Sequence, residues 1–280
     1  MTAPAPAPAP DLQGSAGVAI EAHGLTRCFG QILAVDHLDF AIAAEEVFGL
    51  VGPNGAGKTS TLKMLTTLLP PTEGDARVAG HDVRHDAPAV RRSIGYVPQS
   101  LSADGALTGR ENLLLSARLY HLPRETRDEK IEESLAFMGL TDAADRLVRT
   151  YSGGMIRRLE LAQAMLHNPA VLFLDEPTIG LDPTARTAVW DHVRRLQASQ
   201  RTTIVLTTHY MQEADLLCDR VAVMHRGRIV ALGTPNELKA RVGPDATLDD
   251  VFTHFTGTGM DEGGDLREIT RTRRTARRLG

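Results

Sequence analysis

The apolar and polar positions along the chain change period several times. Residues 18–20 and 38–42 carry short apolar stretches, the second with alternation, which predicts strands. An apolar run at 47–51 ends at Gly52 and predicts another short strand. Leu62, Leu65 and Leu69 then recur at helical spacing, predicting a helix over 59–69 that Pro70 and Pro71 stop. Thr108-Gly109-Arg110-Glu111 has the form of a capping box, in which the Thr hydroxyl takes the Glu111 N–H and Glu111 reaches back. Thr126-Arg127-Asp128-Glu129 repeats the pattern, with Ile131, Leu135 and Met138 on one face behind it and Gly139 as the C-terminal stop. A third helix is predicted from about Ser152 to before Pro169. Strand character returns at 171–174 and 203–206, and the runs 221–224 and 228–232 flank a Gly227 turn as a late hairpin.

Strands alternating with helices predict an α/β core with a mainly parallel sheet, into which a helical block at about 98–168 is inserted. Residues 3–10 repeat Ala-Pro, which favours extended polyproline conformations and offers little to a core. The expected division is a disordered leader over 1–17, one folded domain over 18–245, and an extension over 246–280, where the order signal fades. That extension holds Arg267, Arg271, Arg273, Arg274, Arg277 and Arg278.

Composition narrows the classes. With 280 residues, 42% hydrophobic and 24% charged, the chain can build one large domain or a core with a smaller lobe. A net charge of -4 argues against a polycation built to hold nucleic acid. Cys28 and Cys218 lie far apart without a CxxC pattern, which fits a reducing cytosol. No apolar run approaches the ~18–20 residues that span a bilayer, and the N-terminus lacks the pattern of a secretory signal. Any link to a membrane is therefore expected through a partner or a surface contact. His81 and His85 lack a third ligand, so no metal site is predicted there.

Two motifs carry chemistry. Gly52-Pro53-Asn54-Gly55-Ala56-Gly57-Lys58-Thr59 fits G-x-x-x-x-G-K-[ST] between a strand and a helix, the context this phosphate loop requires. Glycines let backbone N–H groups point inward, and the helix start adds its positive dipole end. Lys58 suits the β- and γ-phosphates and the Thr59 hydroxyl suits Mg²⁺; Ser60 completes the nucleotide-binding set. The motif specifies a nucleotide and does not separate kinase, GTPase and transporter. The apolar run at 171–174 leads into Asp175-Glu176, two carboxylates at a strand's C-terminal edge, where open α/β sheets bind ligands. Asp175 suits Mg²⁺, and Glu176 suits polarising an attacking water.

Tyr151-Ser152-Gly153-Gly154-Met155 stands between the helical block and Asp175. With it the sequence resembles the ABC ATPase family over nearly all of residues 18–242. The motifs run in the family's order: phosphate loop, Gln99, the Ser-Gly-Gly element, Asp175-Glu176, Gly180-Leu181-Asp182 and His209. The resemblance implies a P-loop NTPase (RecA-like) core with a small antiparallel β subdomain and an inserted helical subdomain, and ATP with Mg²⁺ as cofactors. It implies two such domains pairing head to tail, each ATP lying between the phosphate loop of one copy and Ser152, Gly153 and Gly154 of the other, with Asp182 at the seam. It further implies that Phe29 stacks on adenine, that Gln99 senses the γ-phosphate or Mg²⁺, and that His209 contacts the γ-phosphate. The plainer readings are a core Phe29, a loop Gln99 and a turn His209. Tyr151 and Met155 stand where the family usually has Leu and Gln, so any contact of that Gln amide is lost.

A finer resemblance is to the daunorubicin-resistance type of exporter ATPase, in the ABC-2 group. It rests on Leu107-Thr108-Gly109-Arg110-Glu111-Asn112-Leu113, on Arg157-Arg158-Leu159-Glu160-Leu161-Ala162 and on Thr247-Leu248-Asp249-Asp250-Val251-Phe252. It implies a separate transmembrane permease, a drug-like or lipid-like cargo, and a peripheral place on the cytoplasmic face of the cell membrane. Two alternatives stay open: a soluble ABC ATPase acting on ribosomes, DNA or iron–sulfur assembly, and a self-resistance protein that binds a drug or its target without transport. The single phosphate loop and the short interval from Gln99 to Ser152 weigh against the first. The arginines near the C-terminus fit a solvated tail or a contact with anionic lipid, and no interleaved aromatics point to nucleic acid.

Overall fold

The computed structural model describes residues 17–257. The Ala-Pro repeat and the arginine-rich tail lie outside them. In chain order the fold runs β1 Val18–Phe29, β2 Ile32–Ala43, β3 Val47–Val51, α1 Lys58–Leu65, β4 Glu73–Val78, β5 His81–Asp82, α2 Ala87–Ser93 and β6 Ile94–Val97. A helical lobe follows, with α3 Gly109–Leu119, α4 Arg124–Phe137 and α5 Gly153–Met165. The chain returns through β7 Val171–Asp175, α6 Pro183–Gln200, β8 Thr203–Thr208, α7 Met211–Leu217, β9 Arg220–His225, β10 Arg228–Gly233, α8 Pro235–Ala240 and α9 Leu248–Thr256.

Two sheets result. One has the order β10-β9-β3-β8-β7-β6 and is parallel except for the β9–β10 hairpin. The other, β2-β1-β4-β5, is antiparallel. The parallel strands read as unbroken apolar runs because both faces are covered. Side chains still alternate along each strand. Val47, Val51, Leu172, Leu174, Ile204 and Leu206 face the core shared with the helical lobe. Phe48, Leu50, Phe173 and Val205 face a second core with Leu62 and Leu65 of α1 and the antiparallel sheet. Register then sets the site: Val51 pairs with Thr208, and Asp175 with Thr207. The C-terminal ends of β3, β7 and β8 therefore meet at one edge.

Several expectations need correction. The helix predicted over 59–69 is α1 and ends at Leu65; Thr66 caps it by donating its hydroxyl to Leu62 O at 2.8 Å, and Thr67 turns away with φ 62°. Leu69 still packs against the second core, but from the connecting turn. The segments 18–20 and 38–42 are parts of twelve-residue strands. The expected cap at Thr126 is displaced, because α4 starts at Arg124 with Pro123 as N-cap. Proline's fixed φ and missing N–H already end the preceding turn there. Gly139 does stop α4, in the left-handed region at φ 63°. Order also continues past 246: Thr247 and Asp250 form a capping box, and Leu248, Val251 and Phe252 of α9 are buried in the core shared with the helical lobe. The boundary expected at 246 therefore falls inside packed structure.

Candidate functional site

The phosphate loop leaves β3 at Gly52 and closes over the start of α1. A Cβ at Gly52 would stand 2.3 Å from Met224 O, and one at Gly57 (φ 106°) 2.6 Å from Ala34 O. Both positions need glycine for the backbone to pass. Pro53 and Ala56 are buried, whereas Asn54 and Gly55 form the exposed rim. Lys58 is buried, and its ammonium donates to Gly52 O at 2.7 Å and Pro53 O at 3.1 Å and meets Glu176 Oε1 at 3.2 Å. Burial pulls its pKa down, and the Glu176 and Asp175 carboxylates oppose that.

Asp175 accepts two hydroxyls on one oxygen: Thr59 at 3.0 Å and Thr207 at 2.7 Å. The same Thr207 hydroxyl accepts the Glu176 N–H at 2.9 Å. Glu176 needs that support, because its backbone sits at φ 46°, a strain of about 1–3 kcal/mol for a residue with a side chain. Its second carboxylate oxygen meets His209 Nδ1 at 2.7 Å. A carboxylate only accepts, so Nδ1 carries the proton. Lys58, Thr59, Asp175, Glu176 and His209 thus form one bonded cluster. Thr207 belongs to it, although its place before His209 gave no hint of a role; the hint lies in the β7–β8 register. Glu213 of α7 is a second unforeseen residue, beside the cluster rather than bonded to it. It is buried and takes hydroxyls from Thr178 at 2.9 Å and Thr208 at 3.1 Å, bracing the segments that follow Glu176 and precede His209.

The other predicted residues stand apart from this cluster. Ser60 lies further along α1 and joins none of these bonds. Gln99 follows β6, which runs beside β7 through the Val97–Leu174 pair; its side chain is exposed. Phe29 is 44% exposed with the Arg27 guanidinium 4.6 Å over its ring, so it is not a core residue. Ser152 caps α5 by accepting the Met155 N–H at 3.3 Å, and Asp182 caps α6 by accepting the Ala185 N–H at 3.0 Å. A Cβ at Gly154 would meet Ala185 at 2.9 Å, so the Ser-Gly-Gly element and the Asp182 helix adjoin. Ser152, Gly153 and Asp182 are exposed. Tyr151 is buried, and its hydroxyl donates to Ala143 O at 2.6 Å.

The donor set bears on a metal. Among the described residues no three His, Cys, Asp or Glu gather as a metal cage. Of the cluster's two carboxylates, Glu176 is engaged by Lys58 and His209, and Asp175 is the one with the hydroxyls of Thr59 and Thr207 beside it. Such hard oxygens suit Mg²⁺, which keeps several waters and takes substrate phosphates as further ligands.

Residues 35–179 match the family described as ABC transporter. The chain is 49% identical over 225 residues to the daunorubicin/doxorubicin resistance ATP-binding protein DrrA of Streptomyces peucetius, covering 80% of this chain and 68% of that protein. It is 34% identical over 243 residues to the linearmycin resistance ATP-binding protein LnrL of Bacillus subtilis (strain 168), covering 87% and 76%. Among solved structures, an ATP-binding subunit of an ABC transporter superposes with a TM-score of 0.76 at 27% identity, covering 85% of this chain and 99% of that one. A phosphate loop, an acidic strand end and the order of motifs already named a nucleotide hydrolase; with these likenesses, the chain belongs to the ABC transporter ATP-binding family, whose domains bind and hydrolyse ATP.

Proposed function

We propose that this protein is the ATP-hydrolysing motor of an exporter, driving a drug-like or lipid-like compound through a separate transmembrane permease from the cytoplasmic face of the cell membrane. The single observation that carries the reading is the cluster in which Glu176 bridges Lys58 and His209 beside Asp175. Among the described residues no helix is long and apolar enough to cross a membrane; in this reading a partner supplies the path for the cargo. The resistance proteins of similar sequence favour a drug-like cargo.

In this reading the triphosphate lies over the phosphate loop, with its adenine against the exposed ring of Phe29. The Lys58 ammonium exchanges its contact with Glu176 for the β- and γ-phosphates. Glu176, released on that side and still held by His209, then accepts a hydrogen bond from the attacking water. Thr59 and Asp175 would hold Mg²⁺, whose charge would offset that developing on the phosphates. Gln99 reports the γ-phosphate to the permease. The exposed Ser152, Gly153 and Asp182, with the half-buried Gly154 beside them, suit a head-to-tail second copy, where the N-terminus of α5 meets the γ-phosphate on the other phosphate loop. The catalytic gain comes from positioning and electrostatics.

The test is capture of Glu176→Gln protein from membranes of the source cells with MgATP. A polytopic membrane protein at fixed stoichiometry is expected. Ribosomes, DNA or soluble factors in its place would favour the soluble alternative.

A further inference from the structure

Helix α5 carries a buried ion pair that the nucleotide cluster does not use. Arg157 Nη1 and Glu160 Oε2 meet at 2.9 Å, with each side chain only 2% exposed. Such a pair gains little over apolar residues of similar volume, so its other bonds matter. Arg157 donates from Nη1 to Pro98 O at 2.7 Å and from Nη2 to Gln99 O at 2.9 Å. Glu160 Oε1 accepts the Ser102 N–H and, at 3.0 Å, the Ser102 hydroxyl. The loop that carries Gln99 away from β6 is thus fastened to α5 at both ends. The same helix begins at the Ser152 cap, about one and a half turns before Arg157. An α-helix is stiff over that length, so the loop and the Ser-Gly-Gly element move as one body.

We infer that Arg157 and Glu160 are positioning residues that lock the Gln99 loop to α5, passing a displacement of Gln99 at one nucleotide to the Ser152-Gly153-Gly154 element that faces the nucleotide on a second copy. The inference rests on the two-copy reading above. Neither side chain touches nucleotide. The planar guanidinium suits the task because its donors are held in a fixed fork, letting it bind two successive carbonyls and a carboxylate at once. Glu160 holds the guanidinium in place and closes the far end of the loop. Coupling then runs through a contiguous bonded network rather than through a change in affinity at Lys58.

The test compares the intact protein with its Arg157→Met/Glu160→Leu double variant. Removing both charges leaves neither buried and unpaired, so the fold is retained and a thermal melt verifies it. ATP binding to the phosphate loop is expected to stay within about twofold of wild type, because no contact of Lys58 or Thr59 is lost. The ATP dependence of hydrolysis is the discriminating readout. Two coupled sites allow a Hill coefficient up to about 2, and the double variant is expected to fall to about 1. A folded double variant that keeps the wild-type coefficient overturns the inference. If the double variant does not fold, Arg157→Lys replaces it: the charge beside Glu160 stays but the fork is gone, and the same fall in coefficient is expected, with its retention overturning the inference. A wild type that hydrolyses ATP with a coefficient of about 1 also overturns it. The two-copy reading itself stands or falls separately, on the mass of Glu176→Gln protein with MgATP.

Discussion

Glu176 occupies a left-handed backbone position between an ammonium and an imidazole, with its N–H on Thr207. Its amide analogue keeps the shape and loses the charge that, in the proposed cycle, orients water. Glu176→Gln is therefore expected to lower ATP turnover by about 10²–10⁴-fold, the usual scale for a general base, while ATP affinity is retained; equal turnover in steady-state assays would refute the assignment. Thr207→Val takes one of two hydroxyls from the Asp175 carboxylate, leaving Thr59 there, and leaves the Glu176 N–H with the longer bond to Thr207 O at 3.2 Å. Denaturant titration should show a loss of about 1–3 kcal/mol, and Thr207→Ser should remain near wild type. Lys58, Asp175 and Glu176 were legible in the sequence because their chemistry depends on neighbours close in the chain, a glycine loop or an apolar strand. Thr207 and Glu213 were not, because their roles depend on strand register and on packing across the sheet.

At the scale of elements, two motifs that look independent in sequence are packed against each other. Tyr151 closes the segment before α5, and a Cβ on Gly109, at the start of α3, would lie 2.4 Å from its hydroxyl oxygen. Gly109→Ala should therefore destabilise the protein by about 1–3 kcal/mol. With Tyr151→Leu the hydroxyl is gone, and adding Gly109→Ala should then cost little; additive losses in the double-mutant cycle would exclude the contact. Phe252 of α9 is 1% exposed, and Phe252→Ala is expected to cost about 3–5 kcal/mol; a thermal melt unchanged from wild type would mean α9 does not hold the core. The caps at Thr108 and Ser152 were legible because a cap is a local bond. The start of α4 was misplaced because Pro123 ends the preceding turn before Thr126 can cap. The packing of α9 was missed because its three apolar positions lie in a short, acidic stretch with no long periodic run.

Over the whole molecule, charge and pairing make further demands. Burial pushes the His167 and His192 pKa values below the usual range, against hydrogen bonds to Ile94 O and Ala188 O that pull them up. The unfolded chain takes up protons near pH ~6.5 that the folded chain still refuses. The stability these residues contribute is thus complete above that value and declines as pH falls through it towards their folded pKa values. The melting temperature should drop between about pH 7 and 5.5, and a His167→Gln/His192→Gln variant should drop less; equal slopes would place the dependence elsewhere. The architecture itself was legible, since alternating strands and helices bounded by phosphate-loop and acidic motifs admit few arrangements. The apposition of Ser152 and Lys58 across two copies came from the family resemblance alone, because no pattern along one chain expresses a contact between copies. The most direct measurement is the mass and bound-nucleotide content of Glu176→Gln protein with MgATP. Two copies holding two ATP, separated into single copies when Ser152 is replaced by Phe, is the predicted result; one copy holding ATP, indifferent to Ser152, would contradict the account.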